Sequence, residues 1–401
     1  MGADVAAEVV LDLSRLLSRV LHPTPTGVDR VEMAYARGLL ETIPDRLCFA
    51  AVHPSGLYGR LPRGEVLRFL DETEHRWQAH GRSIARSMRP FAARTLLRLL
   101  PRPVRRKDMP RLYVQASPNN LIKPDLVRAI LRREQARFVC LVHDLIPIQY
   151  PEYARPGGAA LHLRRMDTVV RLADGILANS EATMAALRPY LARSGRDPQL
   201  RVAHLGTEDM APRPARVDER PYFVCVGTIE PRKNHLLLLH LWRALSEERG
   251  AAAIPRLILI GRRGWENEQV VDMLERCPAL KDCVEERSGL PDTEVQALVA
   301  GARALLLPSF AEGYGMPVTE ALMLRVPVVC SDLPALREAG GAVPTFLDPL
   351  DGPAWRAAVD DLTAADSAIA AGQRARLAGW TPFRWDQHIA ILLDLLHSLA
   401  A

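Results

Sequence analysis

Short apolar runs separated by longer amphipathic segments repeat along the whole chain. In the first half the runs are Val9–Leu13, Leu47–Val52, Leu112–Gln115, Phe138–His143, Gly175–Ala178 and Leu200–Ala203. In the second half they are Tyr222–Val226, Arg256–Ile260, Ala304–Leu307 and Pro327–Cys330. Runs this short and this rich in Val, Ile and Leu predict strands buried on both faces. Segments between them, such as His235–Leu245 and Val295–Ala300, carry the spacing of amphipathic helices. Strand and helix in alternation predict parallel sheets built from βαβ units, and the pattern occurs twice. The Pro-rich, polar stretch Ala211–Pro221 lies between the two series and reads as a linker. At 401 residues the chain exceeds one ordinary core. The expectation is therefore an α/β protein of two Rossmann-like, doubly wound domains, residues 1–210 and 211–380. Residues 381–401 contain the apolar-rich helix His388–Leu399, expected to pack back toward the first domain.

Composition narrows the class. The chain is 48% apolar and 25% charged, as in ordinary globular proteins, and it contains no apolar run of the eighteen or more residues a membrane helix needs. The N-terminus places acids early and lacks the basic start and cleavage site of a signal peptide. Six scattered cysteines form no CxxC pair. Cys140, Cys225 and Cys330 lie inside apolar runs, as small core residues do. These features point to a cytoplasmic, reduced protein without structural zinc. Charge is unevenly spread: residues 1–200 hold 31 basic and 20 acidic residues, a surplus of 11, whereas residues 201–401 hold 21 and 27. The first half is thus expected to face an anionic ligand or surface. From Arg82 to Arg111 ten basic residues and one acid interleave with Ile84, Met88, Phe91, Leu96, Leu97, Leu99 and Leu100. Such a segment lies on an anionic bilayer or packs its apolar face on the core, and the sequence leaves both open. No aromatics interleave the arginines, which argues against nucleic acid.

Candidate chemistry concentrates in Glu312-Gly-Tyr-Gly-Met-Pro-Val-Thr-Glu320. The unit reads as strand, glycine turn and helix, with Glu312 on the turn and Glu320 in the first helical turn. A helix start offers unpaired N–H groups and a positive dipole end to a phosphate. Carboxylates on either side suit vicinal hydroxyls, so the unit suits a phosphate flanked by two polyols, as in a nucleotide sugar. Each glutamate taken alone also reads as a solvated loop residue or a complement to the dipole. The surroundings favour the ligand. In Val224-Cys-Val-Gly-Thr-Ile-Glu-Pro-Arg-Lys-Asn-His235, Gly227 and Thr228 fall at a strand's carboxyl end, where open α/β sheets bind ligands. Arg232 and Lys233 bring adjacent cations to that rim, as a diphosphate requires.

The series VGTIEPRKN, RSGLPDTEV and LLLPSFAEGYGMPVTEALMLRVPVVCSD is similar to the donor-binding domain of family 4 retaining glycosyltransferases, which have the GT-B architecture: two domains facing across a cleft, with the C-terminal helix crossing back. The resemblance covers residues 221–350. It implies that Glu312 contacts hydroxyls of the transferred sugar and Glu320 holds the ribose. It implies further that Gly313, Tyr314, Gly315 and Met316 lie near sugar and phosphates, that Arg232 and Lys233 bind the diphosphate, and that Ser288, Gly289 and Leu290 border the base. Arg325 departs from the pattern, since relatives often carry Gly before this Val-Pro. In the first half, Thr26-Gly27-Val28-Asp29-Arg30-Val31 resembles the family's glycine loop, with Gly27 facing the donor. His143-Asp144-Leu-Ile-Pro147 with Pro151-Glu152 resembles a segment of bacterial mannosyltransferase-like members, which puts His143 beside the reacting sugar.

The resemblance thus implies an acceptor-binding first domain and a donor-binding second one. The implied activity is metal-independent, retaining transfer of a hexose such as mannose from a nucleotide diphosphate sugar, GDP-linked by preference. The acceptor is a saccharide or lipid-linked oligosaccharide in surface polysaccharide synthesis, reached by a protein peripheral on the membrane's inner face. No cofactor beyond the co-substrate is implied. A nucleotide-sugar epimerase would need acid–base carboxylates at the sugar and no acceptor surface. Against a non-catalytic nucleotide-sugar-binding partner with a vestigial donor site stand the intact Arg232-Lys233 pair and the Glu312–Glu320 pair. Alanine at Glu312 or Lys233 is expected to abolish transfer and leave the fold intact.

Overall fold

The computed structural model describes residues 6–78, 82–104, 109–210 and 220–401, with residues 82–87 described by backbone alone. The chain forms two compact units. The first comprises Met1–Ile148, Gly157–Gly206 and Phe383–Ala401; the second comprises Gln149–Pro156 and Thr207–Pro382. The division falls at Gly206 and Pro382 rather than at 210 and 380, and Gln149–Pro156 joins the second unit, which the sequence did not suggest. Most of the expected linker, residues 211–219, lies outside the described residues.

The first unit holds a seven-stranded sheet of β1 (Glu8–Asp12), β2 (Leu47–Val52), β3 (Tyr58–Arg60), β4 (Arg111–Gln115), β5 (Ala136–Val142), β6 (Gly175–Ala178) and β7 (Gln199–Val202). Their order is β3-β2-β1-β4-β5-β6-β7, and every pairing is parallel except β2 with β3. β1 is buried along its length between β2 and β4, with Val9 paired to both Leu47 and Leu112. A core of Val10, Tyr113, Phe138, Cys140, Met166, Val169 and Ile176 forms beneath it. The helix Trp385–Ala400 completes this unit, burying Ile389, Leu392, Leu395, Leu396 and Leu399. His388 of that helix donates Nδ1–H to the His204 carbonyl and accepts at Nε2 from the Tyr35 hydroxyl, each at 2.8 Å.

The second unit holds a wholly parallel six-stranded sheet: β8 (Tyr222–Val226), β9 (Arg256–Ile260), β10 (Val284–Arg287), β11 (Leu305–Leu307), β12 (Val328–Ser331) and β13 (Thr345–Leu347), ordered β10-β9-β8-β11-β12-β13. Its core packs Phe223, Trp242, Leu257, Leu306, Val329 and Trp355. Strand order reverses between β8 and β11 here, and between β1 and β4 in the first unit. At such a switch point adjacent loops leave the carboxyl edge in opposite directions and open a crevice.

The basic segment forms the helix Arg82–Arg98 with Pro90 inside it. Its described apolar residues Met88, Phe91 and Leu99 are buried, and Arg76 stacks over the Phe91 ring at 3.8 Å. Arg94 pairs with Glu72 at 2.8 Å and Arg98 lies 3.9 Å from Glu65, both on the helix Arg63–Gln78. The apolar face is thus a core face, while Leu97 and Leu100 stay exposed among the arginines. No helix among the described residues is long and apolar enough to cross a membrane.

Candidate active site

β8 and β11 are neighbours at the switch point, so the loops that follow them flank one crevice. The loop after β8 runs through Gly227 and Thr228 into the short turn Pro231–Lys233 and then the helix His235–Arg249. The loop after β11 carries Ser309 and Glu312 to the helix Met316–Met323. Their side chains close a cage. Glu312 Oε1 accepts from Lys233 Nζ at 2.6 Å and from Ser309 Oγ at 2.7 Å, while Oε2 accepts from Arg232 Nη1 at 2.8 Å. Arg232 also donates to the Ala311 carbonyl at 2.9 Å and pairs through Nε with Glu230 at 2.6 Å. The Glu312 and Lys233 side chains are each only 7% exposed. Burial pushes the Glu312 carboxyl upward, but the charges of Lys233 and Arg232 outweigh it and bring the value down to about 2. Two carboxylates and two cations thus balance, and the two cations expected at a diphosphate are already held by the carboxylate expected at the sugar. Ser309 and Glu230 completed this network without being foreseen; Ser309 sits in the same Pro-Ser-Phe-Ala-Glu stretch, three residues before Glu312.

The glycine turn explains itself sterically. Gly315 has φ 118° at the start of the Met316–Met323 helix, and a Cβ there would meet Leu336 Cδ2 at 2.5 Å. Glu320 is the fifth residue of that helix, and the first turn contains no acid, so dipole complementation does not account for it. Pro317 takes the second helical position, where its missing N–H costs no helical bond. The Tyr314 ring is buried, which leaves backbone as what Gly313-Tyr314-Gly315 presents outward. Gly227 follows β8 directly, with φ 146° and the Lys233 stem 3.2 Å from where a Cβ would stand. Ser288, Gly289 and Leu290 form the loop after the edge strand β10, with Gly289 at φ 69°. Arg325 sits at φ 60°, just past the helix, where Val326 N–H bonds to the Ala321 carbonyl at 2.9 Å and Arg325 N–H to Leu322 at 3.0 Å. That closure demands a left-handed residue, normally Gly.

Gly27 and His143 belong to the first unit. Gly27 opens the helix Gly27–Thr42; Thr26 N–H donates to Asp29 Oδ2 at 2.7 Å, and Asp29 is clamped by Arg15 at 2.6 Å and Arg19 at 2.7 Å. His143 follows β5, and its Nε2 lies 2.7 Å from the Ala116 carbonyl. A carbonyl only accepts, so Nε2 carries the proton and the neutral ring offers Nδ1 as an acceptor. Burial holds the His143 value below the usual histidine range, against the pull of that carbonyl. Two buried acids nearby escaped the sequence reading. Asp12 accepts from Ser14 N–H at 2.8 Å and Glu32 from Leu16 N–H at 3.0 Å. Burial, then the nearby Asp12 charge, raises Glu32 to about 8.

The chain is thus mixed α/β, with two Rossmann-like units and a cation–carboxylate cage at the switch point of the second. Residues 207–341, within the second unit, match the model of the family Glycosyl transferases group 1. The chain is 38% identical over 130 residues to O-antigen chain mannosyltransferase B of Escherichia coli, covering 32% of this chain and 33% of that one. It is 27% identical over 235 residues to the serotype-specific mannosyltransferase WbdA of Escherichia coli, covering 54% and 28%. The chain thus spans about a third or less of the length of these curated relatives. Among solved structures, Anabaena HepE in complex with UDP-glucose superposes with TM-score 0.61 at 15% identity, covering 98% of this chain and 99% of that one, a likeness of fold. The matches make the chain similar to these mannosyltransferases over part of its length, and the two-unit α/β fold follows from the structure.

Proposed function

We propose that the protein transfers a hexose, with mannose as the favoured sugar, from a nucleotide diphosphate sugar to a hydroxyl of a saccharide or lipid-linked acceptor in surface polysaccharide synthesis. The observation that carries this reading is the cage: Arg232 and Lys233 held by Glu312 at the switch point of the second unit. An incoming diphosphate would draw the two cations toward itself and free Glu312 to accept from sugar hydroxyls. As the bond from C1 to the phosphate oxygen breaks, its electron pair leaves with the diphosphate, and the cations stabilise the gathering charge. We read the transfer as retaining. The acceptor oxygen bonds C1 on the face the diphosphate leaves, and its proton passes to the departing phosphate oxygen. Glu320 would hold the ribose, Ser288, Gly289 and Leu290 would border the base, and Gly27 and Gly227 would admit the phosphates closely. The Nδ1 of His143 would accept from a hydroxyl and so position a sugar. With two side-chain cations serving the diphosphate, the reaction is read as metal-independent, and turnover should persist in a chelator.

A thermal-shift screen across nucleotide sugars tests the donor, with a GDP-sugar expected to give the largest rise. The anomeric configuration of the product tests retention. Wild-type turnover after loss of both Lys233 and Glu312 would sink the assignment, and release of an altered sugar without acceptor would turn it into an epimerase. The Arg82–Arg111 surface is proposed to rest on anionic lipid at the cytoplasmic face. The exposed Leu97 and Leu100 beside the arginines support this.

A further inference from the structure

An aromatic ladder stands beside the cage. Tyr150 and Tyr153 stack with ring centroids 5.9 Å apart and planes at 26°, and Tyr153 stacks on Phe310 at 5.6 Å and 9°. Phe310 lies between Ser309, which binds Glu312, and Ala311, whose carbonyl binds Arg232. Its own N–H donates to the Arg232 carbonyl at 2.8 Å. The two tyrosines come from Gln149–Pro156, the segment that joins the second unit while its sequence neighbours belong to the first. Trp265 Nε1 donates to the Tyr153 carbonyl at 3.0 Å, and the Arg155 guanidinium lies 4.7 Å from the Trp265 ring centroid. These contacts fix Tyr153. Tyr150, at the outer end, remains 39% exposed.

Anchoring the segment needs Tyr153, Trp265 and Arg155; it does not need an exposed ring beyond them. A half-exposed aromatic ring with a hydroxyl at its tip offers an apolar face and a polar end, and it loses little freedom on binding. A pyranose is the complementary shape, with an apolar C–H face and a rim of hydroxyls. We propose that Tyr150, backed by Tyr153 and Phe310, is the platform on which a sugar ring of the saccharide acceptor stacks. The inference rests on the glycosyl-transfer reading. Because Phe310 shares a loop with Ser309 and Glu312, the platform ties the acceptor's position to that of the donor sugar. Tyr150 is a positioning residue.

The test combines saturation-transfer NMR, with α-mannotriose as the probe, and initial rates with GDP-mannose as donor and octyl α-mannobioside as acceptor. Tyr150→Ala should raise the acceptor KM about tenfold, the order of one good aromatic contact, and leave the GDP-mannose KM unchanged. Saturation transfer to the sugar should fall in step, Tyr150→Phe should restore both, and Tyr150→Leu should not. An acceptor KM unmoved by Tyr150→Ala, or a wild-type protein that transfers no saturation to mannotriose, overturns the platform. Mannotriose binding that depends on Tyr150, in a wild-type protein that turns over no nucleotide sugar, would keep the platform and sink the glycosyl-transfer reading.

Discussion

Replacing Glu312 by Gln should destabilise the second unit as well as slow turnover, because Lys233 would keep its charge and lose its nearest anion. The two groups meet at 2.6 Å and are almost wholly buried, so solvent screens them little. The cations depress the Glu312 carboxyl from 4.5 to about 2. At about 1.4 kcal/mol per unit this corresponds to about 3 kcal/mol. It agrees with the roughly 3–5 kcal/mol lost when one partner of a buried pair is removed. A depressed carboxyl gives its stability above its unfolded value near 4.5 and loses it as pH falls from there through about 2. The cost of Glu312→Gln should therefore be full at neutral pH and shrink in acid. The assay is urea unfolding of Glu312→Gln, Lys233→Met and the double variant at both pH values. The double variant leaves no unanswered charge at this contact and should be more stable than the sum of the singles predicts, by at least about 1 kcal/mol. Additivity within about 0.5 kcal/mol would refute the buried pair. From the same cage, alanine at either position is expected to cost stability as well as transfer. Lost activity in such variants mixes chemistry with stability, and the charge-matched pair separates them.

Other consequences are as direct. Arg325→Gly should stabilise the protein by up to about 1 kcal/mol by relieving the left-handed backbone, read as a thermal midpoint raised by about 2 °C; a lower midpoint would show that the arginine earns its place by packing. Glu32, raised to about 8, is favoured in its protonated form, so the stability it contributes is present in acid and lost as pH rises from 4.5 toward 8. Glu32→Gln should therefore stabilise at alkaline pH and change little in acid, as denaturation at both values would reveal. Turnover should fall as acid protonates Nδ1 of His143, at a pH below the usual histidine range, and His143→Asn should remove that limb from the pH profile. Charge removal across Arg89, Arg94, Arg98 and Arg102 should release the protein from anionic vesicles in a sedimentation assay, and unchanged binding would rule that face out.

Among the described residues, ten of the thirteen strands were legible as apolar runs. The three that were not, β3, β10 and β13, all lie at sheet edges and are largely half-buried, so Val284-Glu-Glu-Arg287 shows no apolar run at all. Edge strands answer to solvent, and these three are too short or too polar for hydrophobicity to announce them, whereas the edge strand β7 was still legible. The residues of the cage were legible, their contact was not: Lys233 and Glu312 are 79 positions apart, and only strand order brings β8 beside β11. The motif at Gln149–Pro156 read as part of the first half because nothing local reveals which core a short crossing segment will join. Stacking on Phe310 decides that, at a separation no periodicity encodes.

The chain passes between its units at Ile148, Pro156, Gly206 and Pro382. Neither unit is therefore a continuous stretch of sequence, and this sets the timetable of synthesis. The first unit cannot close until Phe383–Ala401 emerges to supply Ile389, Leu392 and Leu396 to its core. At ribosomal speeds of about 5–20 residues per second, the half begun first waits roughly 10–40 s for its last helix. By then every piece of the second unit has left the ribosome. The half begun last is the first that can be finished.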